Sequence, residues 1–317
     1  MKNILCFGDC NVDIIIPINE IPVEGGCSFS SEMSVNMGGS MYNTAVAMKH
    51  LKLTPIMISQ IGRDIFGTLL CDYLKEHDMT TDYIKISDYP TGATVGLVSP
   101  NGEKRWISVR RNAADIHIKE YDAELLQKNN MLYISGVGLI EGKESRETVI
   151  RMACQVKEKG GMVFLDPNIR VPVWEIDDDI KATFERIYPY IDILIPNEKE
   201  LELLGNNSNE HESSLSILSK GVSSIWVKLG GKGCAYYTKN SSFTFPACKV
   251  KVVDTSGAGD AFNAAAIYGT VAGFSVKETG VFANLFASHT VTKFGTTQAL
   301  PDNTEIENMI LESKKKN

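Results

Sequence analysis

Long hydrophobic runs are missing from this sequence. No apolar stretch approaches the length needed to cross a bilayer, so no membrane partner is expected. A single lysine precedes Ile4-Leu5-Cys6-Phe7, and Gly8-Asp9 follows at once, which is too short an apolar block for a secretory signal. Seven cysteines (Cys6, Cys10, Cys27, Cys71, Cys154, Cys234 and Cys248) are odd in number, scattered and never spaced Cys-x-x-Cys. That pattern argues against a zinc site and for a reducing, cytoplasmic compartment. The five histidines show no metal spacing. Positive charge is in deficit: the net charge of −7 argues against a nucleic-acid surface. An anionic ligand would therefore need a local cluster of basic groups. The P-loop string Gly-x-x-x-x-Gly-Lys-Ser/Thr is absent, because Gly231-Lys232 is followed by Gly233. Gly136-Val137-Gly138 begins like a dinucleotide loop, but Glu141 stands at the third glycine position and no ribose-binding acid follows, which excludes NAD. Internal repeats, low-complexity tracts and flexible linkers are also lacking.

What is present is an ordinary globular composition, 43% hydrophobic and 22% charged, over 317 residues, enough for one large domain or a domain with an insertion. Short apolar runs at 4–7, 56–60, 131–135, 162–165, 193–195 and 225–228 read as strands. They alternate with helical patterns at 40–51, 65–76, 142–159, 197–204, 212–220, 258–272, 276–293 and 303–314. Near-continuous apolar strands between helices predict a three-layer αβα fold with a mainly parallel central sheet. Residues 11–38 and 90–118 break the pattern with β-type runs such as Val12–Ile16, Thr94–Val98 and Trp106–Val109, and with turn signals at Pro22, Gly25-Gly26 and Asn101-Gly102. They are expected to form a small β lid on a main unit of residues 1–10, 39–89 and 119–317. Two long surface hairpins without a role are the alternative.

The most informative stretch is Asp254-Thr255-Ser256-Gly257-Ala258-Gly259-Asp260, which opens an alanine-rich run. Gly257, Ala258 and Gly259 let a ligand approach the backbone, and a helix start offers unpaired amides and the positive end of a dipole. Together they suit phosphate. Asp260 beside a bound anion is unfavourable unless it accepts a proton from an attacking hydroxyl. Asp254 is placed to bind a cation or to orient the turn. The alternative is a plain helix start with Asp260 as dipole partner. Upstream, Gly8-Asp9-Cys10-Asn11-Val12-Asp13 follows the first strand, where ligands gather in parallel sheets. Asn11 and Asp13 are candidates for sugar hydroxyls. Gly38 and Gly39 bring backbone close to a ligand, and Asn43 lies one turn into the next helix; Ser40 as an N-cap explains all but the glycine pair and Asn43.

In order and spacing these pieces resemble the ribokinase-like (PfkB-type) carbohydrate kinases over roughly residues 4–301. The resemblance rests on Gly-x-x-Asn-x-Asp after strand one, Gly-Gly-x-x-x-Asn-x-Ala, Ile61-Gly62-Arg63-Asp64-Ile65-Phe66-Gly67, Pro196-Asn197-Glu198-Lys199-Glu200, Leu229-Gly230-Gly231-Lys232-Gly233 and the stretch at 254–260. Asp166-Pro167-Asn168-Ile169-Arg170 with Trp174 is similar to fructokinases and 2-keto-3-deoxygluconate kinases. Ile134-Ser135-Gly136 stands where ribokinases carry a substrate-binding Glu, which favours that branch over ribokinase itself. The keto-deoxygluconate kinases' Tyr-x-Arg is replaced by Ser108-Val109-Arg110.

The resemblance implies an ATP- and Mg²⁺-dependent kinase that phosphorylates a primary hydroxyl of a small ketose, aldose or sugar acid. Asp260 is the implied base, and the amides of Gly257, Ala258 and Gly259 the implied anion hole. Asn11, Asp13, Gly38, Gly39, Asn43 and Arg110 are the implied sugar contacts; Lys228, Gly230, Gly233 and Asn284 the nucleotide contacts. Asn197 and Glu200 are implied to act through Mg²⁺-bound water, and they also read as a helix capping box. K⁺ is implied at the Asp254 side chain with carbonyls of Ser256, Thr290, Lys293 and Gly295. Arg105, Arg110 and Arg111 suit a carboxylate or phosphate on the substrate, or else a solvated or dimer-facing hairpin. A homodimer joined through the lid is expected because edge strands seek cover. The rival readings are a nucleoside kinase of the same fold and a catalytically idle sugar-binding protein.

Overall fold

Strand β1 (Asn3–Phe7) sets the plan of the molecule. Ile4, Leu5, Cys6 and Phe7 are all fully buried, as a strand covered on both faces requires. The computed structural model describes residues 3–109, 123–140, 142–169 and 177–315. Among the described residues, nine strands form the large sheet in the order β13-β12-β11-β10-β9-β8-β1-β4-β5. Their ranges are β4 Thr54–Gly62, β5 Ile84–Ser87, β8 Met131–Ser135, β9 Met162–Asp166, β10 Ile193–Leu194, β11 Ser224–Lys228, β12 Gly233–Tyr237 and β13 Ser242–Pro246. All neighbours pair parallel except β11–β12 and β12–β13, which are antiparallel.

The pleat of β1 sorts two cores. Ile4 and Cys6 join a cluster with Met57, Tyr133, Phe164 and Trp226, closed by helices α1 (Ser40–His50), α2 (Ile65–Glu76), α9 (Ala258–Ala272), α10 (Val276–Thr290) and α11 (Asn303–Lys315). Leu5 and Phe7 join Ile56, Ile58, Leu132 and Ile134 on the other face. That face is closed by α3 (Ala123–Lys128), α4 (Val137–Ile140), α5 (Lys143–Glu158), α6 (Asp178–Ile187), α7 (Glu198–Gly205) and α8 (Glu210–Ser219). Each large apolar side chain so buried contributes roughly 1.5–3 kcal/mol.

A separate four-stranded sheet, ordered β3-β2-β6-β7, is built from β2 (Asn11–Pro17), β3 (Ser34–Gly38), β6 (Gly92–Val98) and β7 (Lys104–Val109). Its centre is the parallel pair β2–β6, in register from Asn11↔Gly92 to Pro17↔Val98. Carboxylates sit at both roots of this sheet. Asp9 accepts the Ser40 and Met41 amides at 3.3 and 3.2 Å, next to the exit of β3. Asp64, the N-cap of α2, accepts the Thr91 amide and hydroxyl at 2.7 Å each and the Gly67 amide at 2.9 Å, at the entry to β6.

The sequence reading differs from this structure in several places. It omits β5, the β12–β13 hairpin and α6. It also runs α10 on to residue 293, whereas the helix ends at Thr290, where the Val291 carbonyl turns to accept the Val253 and Asp254 amides at 2.8 and 3.3 Å.

Candidate active site

α9 starts where Gly257 adopts φ 75°, ψ −3°, a left-handed conformation open to glycine. Ala261, Ala264, Ala265 and Ala266 are buried and let α9 pack closely on its neighbours. Asp260 lies in the first turn. Its Oδ1 accepts the Ser40 hydroxyl at 2.7 Å and its Oδ2 accepts Asn43 Nδ2 at 2.9 Å. Burial pushes the Asp260 carboxyl up to about 7; the Ser40 and Asn43 hydrogen bonds oppose the rise, Asp166 adds to it and Lys228 opposes it.

The partners of Asp260 are set by the loop before α1. Gly39 has φ 104°, and a methyl built there would come within 2.5 Å of the Asp9 carbonyl oxygen. A methyl on Gly38 would collide with the Asp13 carboxylate. Asp9, fully buried, also accepts Asn11 Nδ2 at 3.2 Å and the Ser135 hydroxyl at 3.4 Å. The structure thus gathers Asn11, Asp13, Gly38, Gly39 and Asn43 at one end of β1 and α1. Asn11 Oδ1 and Asn43 Oδ1 are buried without a hydrogen-bond partner among the described residues, so two acceptors stand ready for donors from outside the chain. Arg110 and Arg111 lie outside the described residues, as do Arg170 and Trp174. Arg105 is exposed on β7.

Beneath the start of α9 runs a polar network that the sequence did not reveal. Lys228, at the end of β11, donates to Asp166 Oδ2 at 2.8 Å and Asn263 Oδ1 at 3.2 Å. Asn263 Nδ2 reaches Asp166 and the Tyr133 hydroxyl, which in turn meets Thr44. A methyl on Gly259 would sit 3.8 Å from Lys228 Nζ, so the ammonium stands beside the first turn of α9. Burial disfavours its charge, but Asp166 and Glu200 outweigh that and raise its pKa. Asp9 and Asn263 are the residues missed. Asp9 left one signal, a carboxylate directly after a buried strand. Asn263 left another, a lone amide three residues beyond Asp260 on the same helical face.

Asn197 and Glu200 form a reciprocal capping box at α7: the Glu200 amide donates to Asn197 Oδ1 at 3.0 Å and the Asn197 amide to Glu200 Oε2 at 2.8 Å. Glu200 Oε1 accepts the Ile169 amide at 2.8 Å. Burial, then Asp166, pushes Glu200 up to about 7. Both Glu200 oxygens are thus engaged by backbone amides, and no group of three or more His, Cys, Asp or Glu placed to hold a metal ion occurs among the described residues.

Gly230 opens a short 3-10 turn after β11 and Gly233 follows its end. Asn284 is buried, and its Nδ2 holds the Phe245 and Pro246 carbonyls at 3.1 and 3.2 Å, which ties α10 to β13. Around Asp254, Ser256 donates through its hydroxyl (2.8 Å) and amide (3.1 Å), Gly295 through its amide (3.4 Å), and Lys104 of β7 through Nζ (3.1 Å). The Thr290 hydroxyl turns back to Phe286, and Lys293 Nζ meets His289 at 3.1 Å. The Ala258 amide already donates to the Thr255 carbonyl at 3.3 Å. A cavity of about 360 Å³ opens between the small sheet and the loops at 254–256 and 294–298, walled by Asp13, Asn36, Lys104, Trp106, Asp254 and Thr296 among others.

Comparison with known proteins agrees with this architecture. The profile of the pfkB family of carbohydrate kinases matches residues 1–303. Probable fructokinase-2 of Arabidopsis thaliana is 28% identical over 95% of this chain and 94% of its own length. Fructokinase-2 of Solanum habrochaites is 28% identical over 95% and 94%. Among solved structures, a ribokinase from Thermotoga maritima superposes with a TM-score of 0.82 at 28% identity, covering 98% of this chain and 99% of that one. Arabidopsis thaliana ribokinase, solved with ribose and ATP, gives 0.83 at 25% identity, covering 98% of each.

Proposed function

Since the chain belongs to the pfkB family of carbohydrate kinases, we propose that it transfers the terminal phosphoryl group of ATP to a primary hydroxyl of a small sugar, with Asp260 as general base. The observation that carries this reading is the pair of hydrogen bonds from Ser40 and Asn43, which aim the Asp260 carboxylate at the mouth of α9, where burial lifts its proton affinity toward neutral pH. Asn11, Asp13, the Gly38-Gly39 backbone and Asn43 orient the sugar; the two orphaned amide oxygens accept its hydroxyl protons. Asp260 takes the proton from the attacking oxygen.

First-turn amides of α9 at Gly257, Ala258 and Gly259, with Lys228 beside them, stabilise the phosphoryl oxygens. Ala258 exchanges its weak bond to Thr255 for this contact. Gly230 and Gly233 shape the nucleotide loop. Mg²⁺, held through water by Asn197 and Glu200, supplies charge neutralisation when bound. The small sheet acts as a lid that excludes water, and its edge strand β7, with Trp106, Ile107 and Val109 exposed, is the face offered to a second copy.

ATP consumption measured across ketoses, aldoses, keto-deoxy acids and nucleosides tests the proposal. Turnover with a sugar is expected. Turnover with nucleosides alone, or with no acceptor, would overturn it.

A further inference from the structure

We infer that the Lys104 ammonium is a tethered cation: it takes the place of a free monovalent ion on the Asp254 carboxylate and so fastens the small sheet to the loop that opens α9. Lys104 is the first residue of β7, paired with Val98 across the β6–β7 hairpin. Its Nζ lies 3.1 Å from Asp254 Oδ1 and 3.4 Å from the Ser256 hydroxyl, and the Asp254 side chain is only 11% exposed. The same Oδ1 accepts the Ser256 amide and hydroxyl, and Oδ2 faces the Gly295 amide. Among the described residues, every group recorded on this carboxylate is an N–H or O–H donor, and one of them carries the positive charge that the site calls for.

A monovalent ion on Asp254 would have to sit beside that ammonium, where like charges repel. The Asp254 side chain, engaged in this way, therefore does not fit the role of K⁺ ligand that the family resemblance implies. Burial pushes the Asp254 carboxyl up, but the Ser256 bonds and then Lys104 outweigh it and hold the group ionised. A cation carried on a strand differs from one drawn from solution: it reaches the loop only while β7 lies against it. Lys104 thus acts as a positioning residue for the 254–260 turn, and its charge arrives together with the small sheet.

The test compares the wild type with Lys104→Met and Lys104→Arg in potassium chloride and in tetramethylammonium chloride at equal ionic strength. Two readouts are taken, the thermal unfolding midpoint and ATP turnover. The turnover arm rests on the kinase reading; the unfolding arm does not. Wild type and Lys104→Arg are expected to be indifferent to the salt in both readouts. Lys104→Met is expected to lose midpoint and several-fold turnover in tetramethylammonium and to recover both in potassium, because removing the ammonium vacates the carboxylate. Three results would overturn the inference: a wild type whose midpoint or turnover rises clearly with potassium, a Lys104→Met variant equal to wild type in both salts, or one equally impaired in both. Should no acceptor support turnover in the wild type, the sugar-kinase reading fails, while the unfolding midpoints still decide the role of Lys104.

Discussion

Ser40 and Asp260 are 220 positions apart in the chain, and the serine hydroxyl donates to the aspartate carboxylate at 2.7 Å. Asn43 holds the other oxygen at 2.9 Å. The orientation of the acid in α9 is thus fixed by the start of α1.

Replacing Asp260 by Asn keeps the shape of the site and removes the proton acceptor. Turnover is expected to fall by about 10²–10⁴, with ATP affinity by calorimetric titration nearly unchanged. Near-normal turnover would remove Asp260 from the role of base.

The pH profile follows from the raised Asp260 carboxyl at about 7. A base works ionised, so kcat/KM for the sugar is expected to decline as pH drops below about 7 and to level off above it. Lys228 opposes the rise. In Lys228→Met the acid limb therefore shifts to higher pH, and a limb that stays in place would show that the two groups are not coupled.

Stability should follow the opposite course. Asp260 and Glu200 are raised from 3.8 and 4.5 to about 7 in the folded protein. The unfolded chain releases these protons first as pH rises, so their contribution is complete below about pH 4 and lost by the time pH passes 7. The unfolding midpoint of the ligand-free protein is expected to drop between pH 5 and pH 8, and to drop less in Asp260→Asn. Calorimetry at constant ionic strength would contradict this if the Asn variant fell as steeply as the wild type.

Asp9→Ala removes the acceptor for the Ser40 and Met41 amides and for Asn11. Leaving a buried donor unmatched costs about 1–3 kcal/mol, so the denaturation midpoint should move down by at least that equivalent. KM for the sugar should rise more than KM for ATP, because the loop that Asp9 holds carries Gly39, Ser40 and Asn43. Equal effects on both constants would assign Asp9 to folding alone.

The parts of the molecule that were legible in the sequence are those with short-range causes. β1 and β8 read as unbroken apolar runs because both their faces are covered, and α9 read from glycine, aspartate and alanine in immediate succession. α6 was hidden by its charge, although Asp177 caps the Ile180 amide and so marks its start. The β12–β13 hairpin was hidden because its strands are short and β13 is mostly exposed at the sheet edge. For Asn284 the family resemblance implies a nucleotide contact, and the structure shows its side-chain amide holding backbone carbonyls of β13, a long-range contact that no local pattern reveals. Lys104 and Asp254 meet across 150 residues, a distance at which no local pattern carries information.

The two roots of the small sheet, one beside Asp9 and the other beside Asp64, have a mechanical consequence. Each is pinned by a carboxylate holding backbone amides, and the seven-pair ladder between β2 and β6 rivets the two insertions into one plate. The pairing of β2 with β6 and of β6 with β7 couples the Asn11–Asp13 segment to the Lys104 hairpin, so a displacement of either strand is passed to the other through the ladder.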